Sequence, residues 1–285
     1  MKLLFQTILV SWVLCGSVDA QPLFYGTGEQ EGWMGTYFRG RKIGFTRVQT
    51  RWTPEAIEVD SKVFFQIRSE STDQSTTINQ TTRLSSDFKL LGFSLLQEIN
   101  GHRKQVVGRM KGNRLTYRVT SRGFDKKQSI DLPPQVLPSS TFLLNLLVNR
   151  LEVGQKGTLP LFLEPFLMLV NLDYEVLRQE KLVYEGKPVE TYVIKQRFRG
   201  IETILWVDGD GTVIKETNNQ GFKSFKEPAN IAQKLDKPLS VSNFITMSLV
   251  KPSQPINRPD RLREITFHLK PIRSSDLIPQ DHRQK

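Results

Sequence analysis

From Trp33 to about Phe225, apolar and polar residues alternate in short runs that turn residues interrupt every 8–12 positions or so, which is the pattern of antiparallel strands. Trp33 to Phe38 and Ile43 to Trp52 flank a turn at Arg39-Gly40-Arg41-Lys42, and Lys62 to Arg68, Thr76 to Leu84 and Leu90 to Ile99 continue the meander. Gln105 to Met110 and Leu115 to Thr120 lie either side of Gly112-Asn113, a pair suited to a two-residue hairpin because the glycine takes a positive φ without strain. That turn sets Lys111 opposite Arg114, Met110 opposite Leu115, Arg109 opposite Thr116, Val107 opposite Arg118 and Val106 opposite Val119. One face of the hairpin is then apolar and the other basic. Val189 to Phe198, Glu202 to Val207 and Val213 to Thr217 read as the last three strands, with Asp208-Gly-Asp-Gly211 as a turn.

One segment departs from this period. After Pro133, Pro134 and Pro138, the hydroxyls of Ser139 and Ser140 open a run to Leu151 that reads as a helix closing before Gly154. Its apolar residues surround most of its circumference, so burial on more than one side is expected, as a curved sheet folded around it would provide. Leu159 to Val170 holds Pro160, Pro165 and seven large apolar residues, which admits two readings: an edge strand over the core, or a rim that lines an apolar cavity. On the second reading Phe162, Phe166, Leu167 and Met168 are candidate ligand contacts. Beyond Glu227-Pro228 the pattern changes to short helices over 229–250, a proline-rich linker over 252–259, one strand over 261–270 and a loose tail.

Composition narrows the chemistry. Forty Lys and Arg against 29 Asp and Glu give a net charge of +11, which favours anionic partners. Met1-Lys2, the apolar stretch Leu3 to Gly16 and Val18-Asp19-Ala20 have the layout of a signal peptide cleaved after Ala20, so the expected location is the periplasm or the exterior, with no nucleic acid as partner. Cys15 follows Leu14 rather than the small residue of a lipoprotein signal, and its loss with the leader leaves a chain without a thiol. Thiolate nucleophiles, disulfides and cysteine metal ligands are excluded together. His102, His268 and His282 have no metal-ligand spacing, and Asp208 and Asp210 lack the further oxygens of a calcium loop. No carboxylate pair stands out for hydrolysis. The expectation is a protein that is not an enzyme, without catalytic residues, cofactor or metal. Arg109, Lys111, Arg114 and Arg118 form the candidate anion-binding face, the alternative being an outer face that is merely solvated.

Three motifs read in order carry a family resemblance: Trp33-Met-Gly35-Thr-Tyr37 through Phe45, Ile204-Leu-Trp-Val-Asp208-Gly-Asp-Gly211 through Glu216, and Gly221-Phe222 through Glu227-Pro228. Together they resemble the N-terminal region of bacterial exported transglutaminase-like proteins, and Leu137 to Pro160 is similar to exported β-domains related to lipoprotein carriers and lipid-binding half-barrels. In such proteins a papain-like domain with Cys, His and Asp usually follows. None of those three residues has a matching position here. The resemblance implies a catalytic transglutaminase-like partner, or a lipid or lipoprotein-like apolar ligand.

The fold expected is mainly β, a strongly curved antiparallel sheet of about nine to eleven strands in a half-barrel around the apolar helix. Its divisions are a leader over 1–20, the β-domain over 21–228 and an α/β extension over 229–285. The function expected is a non-catalytic binding module of the bacterial envelope that holds an apolar ligand or partner segment, with an anionic envelope surface as possible partner. The alternative is the accessory N-terminal half of a transglutaminase-like enzyme.

Overall fold

The structure, a computed structural model, describes residues 28–69, 72–148 and 151–240, with the side chains at 69, 72, 144, 147, 148, 239 and 240 left aside. The leader, the strand over 261–270, His268, His282 and the tail lie outside the described residues. The chain divides into two units, Met1–Met247 and Ser248–Lys285, and every element below belongs to the first.

The first eight strands, β1 (Gly28–Phe38), β2 (Arg41–Trp52), β3 (Ile57–Ser69), β4 (Thr72–Leu84), β5 (Leu90–Ile99), β6 (His102–Lys111), β7 (Arg114–Ser121) and β8 (Phe124–Asp131), form a continuous antiparallel meander. A two-residue parallel strand, β9 (Leu137–Pro138), then leads through a 3-10 turn at Ser139–Thr141 into helix α1 (Phe142–Val148). A second meander follows: β10 (Lys156–Leu163), β11 (Met168–Tyr184), β12 (Lys187–Phe198), β13 (Ile201–Asp208), β14 (Val213–Asn218) and β15 (Phe222–Lys226). Helix α2 (Ala229–Ala232) and β16 (Leu239–Ser240) complete the described chain. The two meanders become one sheet because β15 returns to pair with β1, Gly35 opposite Phe225 and Phe38 opposite Phe222. β1 therefore lies in the middle, and β8 and β9 form the two edges.

Tight turns make this layout possible. Arg39-Gly40, Asn100-Gly101, Glu185-Gly186 and Arg199-Gly200 each carry positive φ at both positions, the conformation that matches the twist of the strands it joins. The hairpin at Gly112-Asn113 has the register that its turn dictates, with Lys111 opposite Arg114 and Val107 opposite Arg118. The sheet has more strands than the nine to eleven expected. β8, β11 and β15 were not separable by alternation, since β8 is almost wholly exposed and β11 shifts register between Val176 and Arg178 through an extra residue.

The inner face divides into two cores. Val48, Val59, Val63, Phe65, Ile78, Leu95, Val106 and Leu115 fill the half built by β2–β7. In the other half, Phe142, Leu143 and Leu146 of α1 pack on Leu172, Val176, Ile194, Leu205 and Val213. The helix is shorter than the run that suggested it: it ends at Val148 among the described residues, and Leu151 packs in the same core beyond it. The sheet rolls until Phe162 of β10 reaches Phe93 of β5, ring centroids 6.0 Å apart. Among the described residues no hydrogen-bonded pairing closes it, so the architecture is the curved, open sheet that the pattern predicts.

Candidate functional site

The four basic candidates share the outer face of β6 and β7, all exposed. Two have acidic partners on neighbouring strands, Arg118 with Asp125 at 3.2 Å and Arg114 with Asp131 at 4.0 Å. Arg109 and Lys111 have none among the described residues. The apolar candidates are dispersed by depth. Phe162 is fully buried in the core against Phe93, whereas Phe166, Leu167 and Met168 are half-buried. They turn on a 3-10 segment at Glu164–Phe166 that ends with Leu167 in the left-handed region at φ 53°, unusual for a leucine. Pro165 starts that segment, which explains why neither a helix nor one continuous edge strand spans the run.

A carboxyl lies at this turn. Glu164 is wholly buried, accepts a hydrogen bond from Ser139 Oγ at 2.5 Å, and has no donor for its Oε1 among the described residues. Burial pushes its pKa up to about 7, and the Ser139 contact only partly offsets that. The same turn touches β5, and Phe166 packs against both cores, so Glu164 sits where the two halves meet.

A second polar cluster lies on the outer face over the central strand. Glu227 accepts from Tyr37 Oη and, at 2.6 Å, from Lys42 Nζ, which also donates to the Ile231 carbonyl at 2.7 Å. The Lys42 amide donates to Asp236 Oδ2 at 2.7 Å, and the Asp236 amide returns a bond to the Lys42 carbonyl at 3.1 Å. Only Gly35 leaves room for this carboxylate, because a Cβ there would stand 2.2 Å from Glu227 Oε2. Burial, and then Glu227, push the Tyr37 hydroxyl above its usual range. The cluster fastens residues 227–240 to β1 and β2, and it delivers β16 to β3 beside Ile67 and Arg68, past the point where β2 has left. Gly35, Tyr37, Lys42 and Glu227 all belong to the motifs that carried the resemblance, so those motifs mark a structural fastening. Asp208 likewise serves its turn, its Oδ1 accepting from the amides of Asp210 and Thr212.

The concave face offers a different setting. It is sealed over β2–β6, where Val48, Val59, Leu95 and Val106 are at most 3% exposed. Over β7 it is half-bare at Tyr117, Val119 and Ser121, and on β8 Phe124 is 48% exposed. Residue alternation alone did not reveal this opening, because it follows from where the sheet stops rather than from any residue type. Among the described residues no helix is long and apolar enough to cross a membrane, and no three His, Cys, Asp or Glu form a metal-binding group.

Comparison by sequence yields no matching family and no matching curated protein. Among solved structures, the chain is similar to the β-barrel-like protein of a domain of unknown function, DUF1849, from Brucella abortus, with a TM-score of 0.53, 9% identity, and coverage of 70% of this chain and 95% of that one. A DUF1089 family protein from Pseudomonas aeruginosa aligns with a TM-score of 0.37, 13% identity, and coverage of 68% and 92%. The first likeness establishes a β-barrel-like fold. These likenesses show no link to a transglutaminase.

Two outcomes follow from these clusters. Lys42→Met, which leaves the Glu227 carboxylate with the Tyr37 hydroxyl but without its cation, should cost about 3 kcal/mol of unfolding free energy, and Gly35→Ala, which pushes the Glu227 head out of place, should cost less; urea melts of both against wild type measure this, and unchanged midpoints refute the fastening. The native chain should lose stability as pH rises from about 4.5 to about 7, because the unfolded chain releases the Glu164 proton at the lower value while the native state retains it until the higher. Asp208, also raised by burial, acts in the same direction. Glu164→Gln isolates the first contribution: it should remove about 2.5 kcal/mol of the difference between pH 5 and pH 8, whereas parallel pH dependences for variant and wild type refute it.

Proposed function

We propose that the protein is an exported, non-catalytic binding module of the bacterial envelope, which holds an apolar ligand or partner segment against its concave face while the basic outer face of β6 and β7 meets anionic groups. The observation that carries this reading is the uncovered inner face at Tyr117, Val119 and Phe124, contiguous with a core sealed at Val48, Val59, Leu95 and Val106. An apolar surface left bare beside a free strand edge gains from an occupant, since each buried aliphatic side chain contributes roughly 1.5–3 kcal/mol. β8 pairs on one side only among the described residues, so an extended segment could also add to that edge. The outer cations Arg109 and Lys111 supply attraction over about 8–10 Å at physiological salt.

An environment-sensitive apolar dye should bind saturably to the purified protein, and Val119→Gln should weaken it about tenfold with little change in Tm. Equal affinity for the two proteins would remove the concave face as the site. For the outer face, Lys111→Glu combined with Arg114→Glu should reduce co-sedimentation with vesicles containing anionic lipid, most clearly at low salt. Superimposable binding curves would leave those residues with solubility alone.

A further inference from the structure

We propose that the open part of the concave face ends in an anion-recognition point formed by Lys104 and Lys126, so that the ligand class is an amphiphile with a phosphate or carboxylate head. This rests on the binding-module reading and narrows it to a chemistry.

The cross-strand register assigns both lysines to the inner face. Gln97, Lys104 and Ser121 stand in one row across β5, β6 and β7, and Val106, Val119 and Lys126 in the next row across β6, β7 and β8. Lys104 thus lies two strands, about 10 Å, from Lys126 and is offset from it by two residues, with Ser121 and Val119 between them, so the two long side chains flank the place of an anionic head from opposite sides. The acids of this arm are directed elsewhere: Glu98 pairs with Arg103, Asp125 with Arg118 and Asp131 with Arg114, all on the outer side. Neither lysine has an acidic partner among the described residues.

Polarity is graded along the strands. One end of the inner face carries Lys104, Ser121 and Lys126, with Phe124 at its edge opposite Ser121; the other carries Met110, Leu115 and Ile130, which pack into the core. Val119 and Tyr117 bridge the two ends, half-exposed. A chain lying along that gradient would cover the bare apolar residues while its head reaches the ammonium groups. Lys104 is half-buried, and desolvation lowers its pKa with no carboxylate to restore it. An ammonium in that state interacts with an anion more strongly than a fully solvated one does, because the local dielectric is lower and part of the dehydration cost is already met. Lys126 is exposed and adds attraction at the entrance.

Isothermal titration of the full chain below micelle-forming concentrations tests this with dodecyl phosphate, dodecanoate, a dodecyl chain on a neutral sugar head, and inorganic phosphate alone. Wild type should prefer the anionic amphiphiles to the neutral one by about tenfold. Lys104→Met, which keeps the aliphatic stem, should abolish the preference while the neutral amphiphile binds as before; Lys104→Arg should retain it, and Lys126→Gln should reduce it. Should Lys104→Met fail to fold, the Arg and Gln variants decide on the same criterion. Preference kept in folded Lys104→Met, or absent from wild type, overturns the assignment. Inorganic phosphate binding as tightly as dodecyl phosphate overturns the amphiphile in favour of a free anion. If no amphiphile binds, the binding-module reading fails with it, whereas equal binding of charged and neutral chains refutes only the lysine pair.

Discussion

Among the described residues, a sheet of sixteen strands accompanied only by helices of seven and four residues has too little cover for its apolar face, so it must cover that face itself. The contact of Phe162 with Phe93 is where it does so. Rolling brings the helix-bearing half against the β2–β7 half, and the right-handed twist of tightly turned hairpins supplies the curvature. The rest follows from how far the roll proceeds. It stops short of pairing β8 with β9, so the central strands are sealed and the last two are not. The buried Glu164 and the half-bare Tyr117 and Val119 are two results of the same incomplete closure, one inside the junction and one beyond it.

Much of this was legible in the residues. Two-residue turns with glycine fixed the hairpin registers, and the Gly112-Asn113 pair alone determined which side of β6 and β7 is basic. Pro160 and Pro165 spoke against a regular helix or central strand from Leu159 to Val170, while the break at Glu164–Phe166 was not placed. What alternation missed has physical reasons. β8 gives little alternation because it is almost wholly exposed and Lys126 and Gln128 separate Phe124 from Ile130 on its inner face, and the extra residue in β11 reverses its inward and outward positions midway, cancelling the period-two signal. The depth of Phe162 was hidden as well, since a buried core phenylalanine and a cavity-lining one are the same residue in a sequence.

The polar fastening illustrates a separate limit. Gly35, Tyr37, Lys42 and Glu227 each look like ordinary strand or turn residues, and nothing in their local patterns indicates that a carboxylate rests on the glycine. Their meaning is pairwise and long-range, with Tyr37 and Glu227 separated by 190 positions. Glu164 is similar: a glutamate between a leucine and a proline reads as a loop residue, and only the fold shows that it has Ser139 and no cation.

The return of β15 to β1 bears on how the chain acquires this shape. Every other neighbouring pair in the two meanders is local and closes over a short turn, so each meander can zip up by itself on the timescale of hairpins. The junction at the centre has to search across nearly the whole domain, and its loop-closure entropy is the largest the fold must meet. The middle of the sheet is thus assembled last, out of two ends of the domain. Until then, β1 presents an unpaired edge flanked by Trp33 and Tyr37, and the interval between zipping and joining is when the chain is most exposed to pairing with another copy of itself.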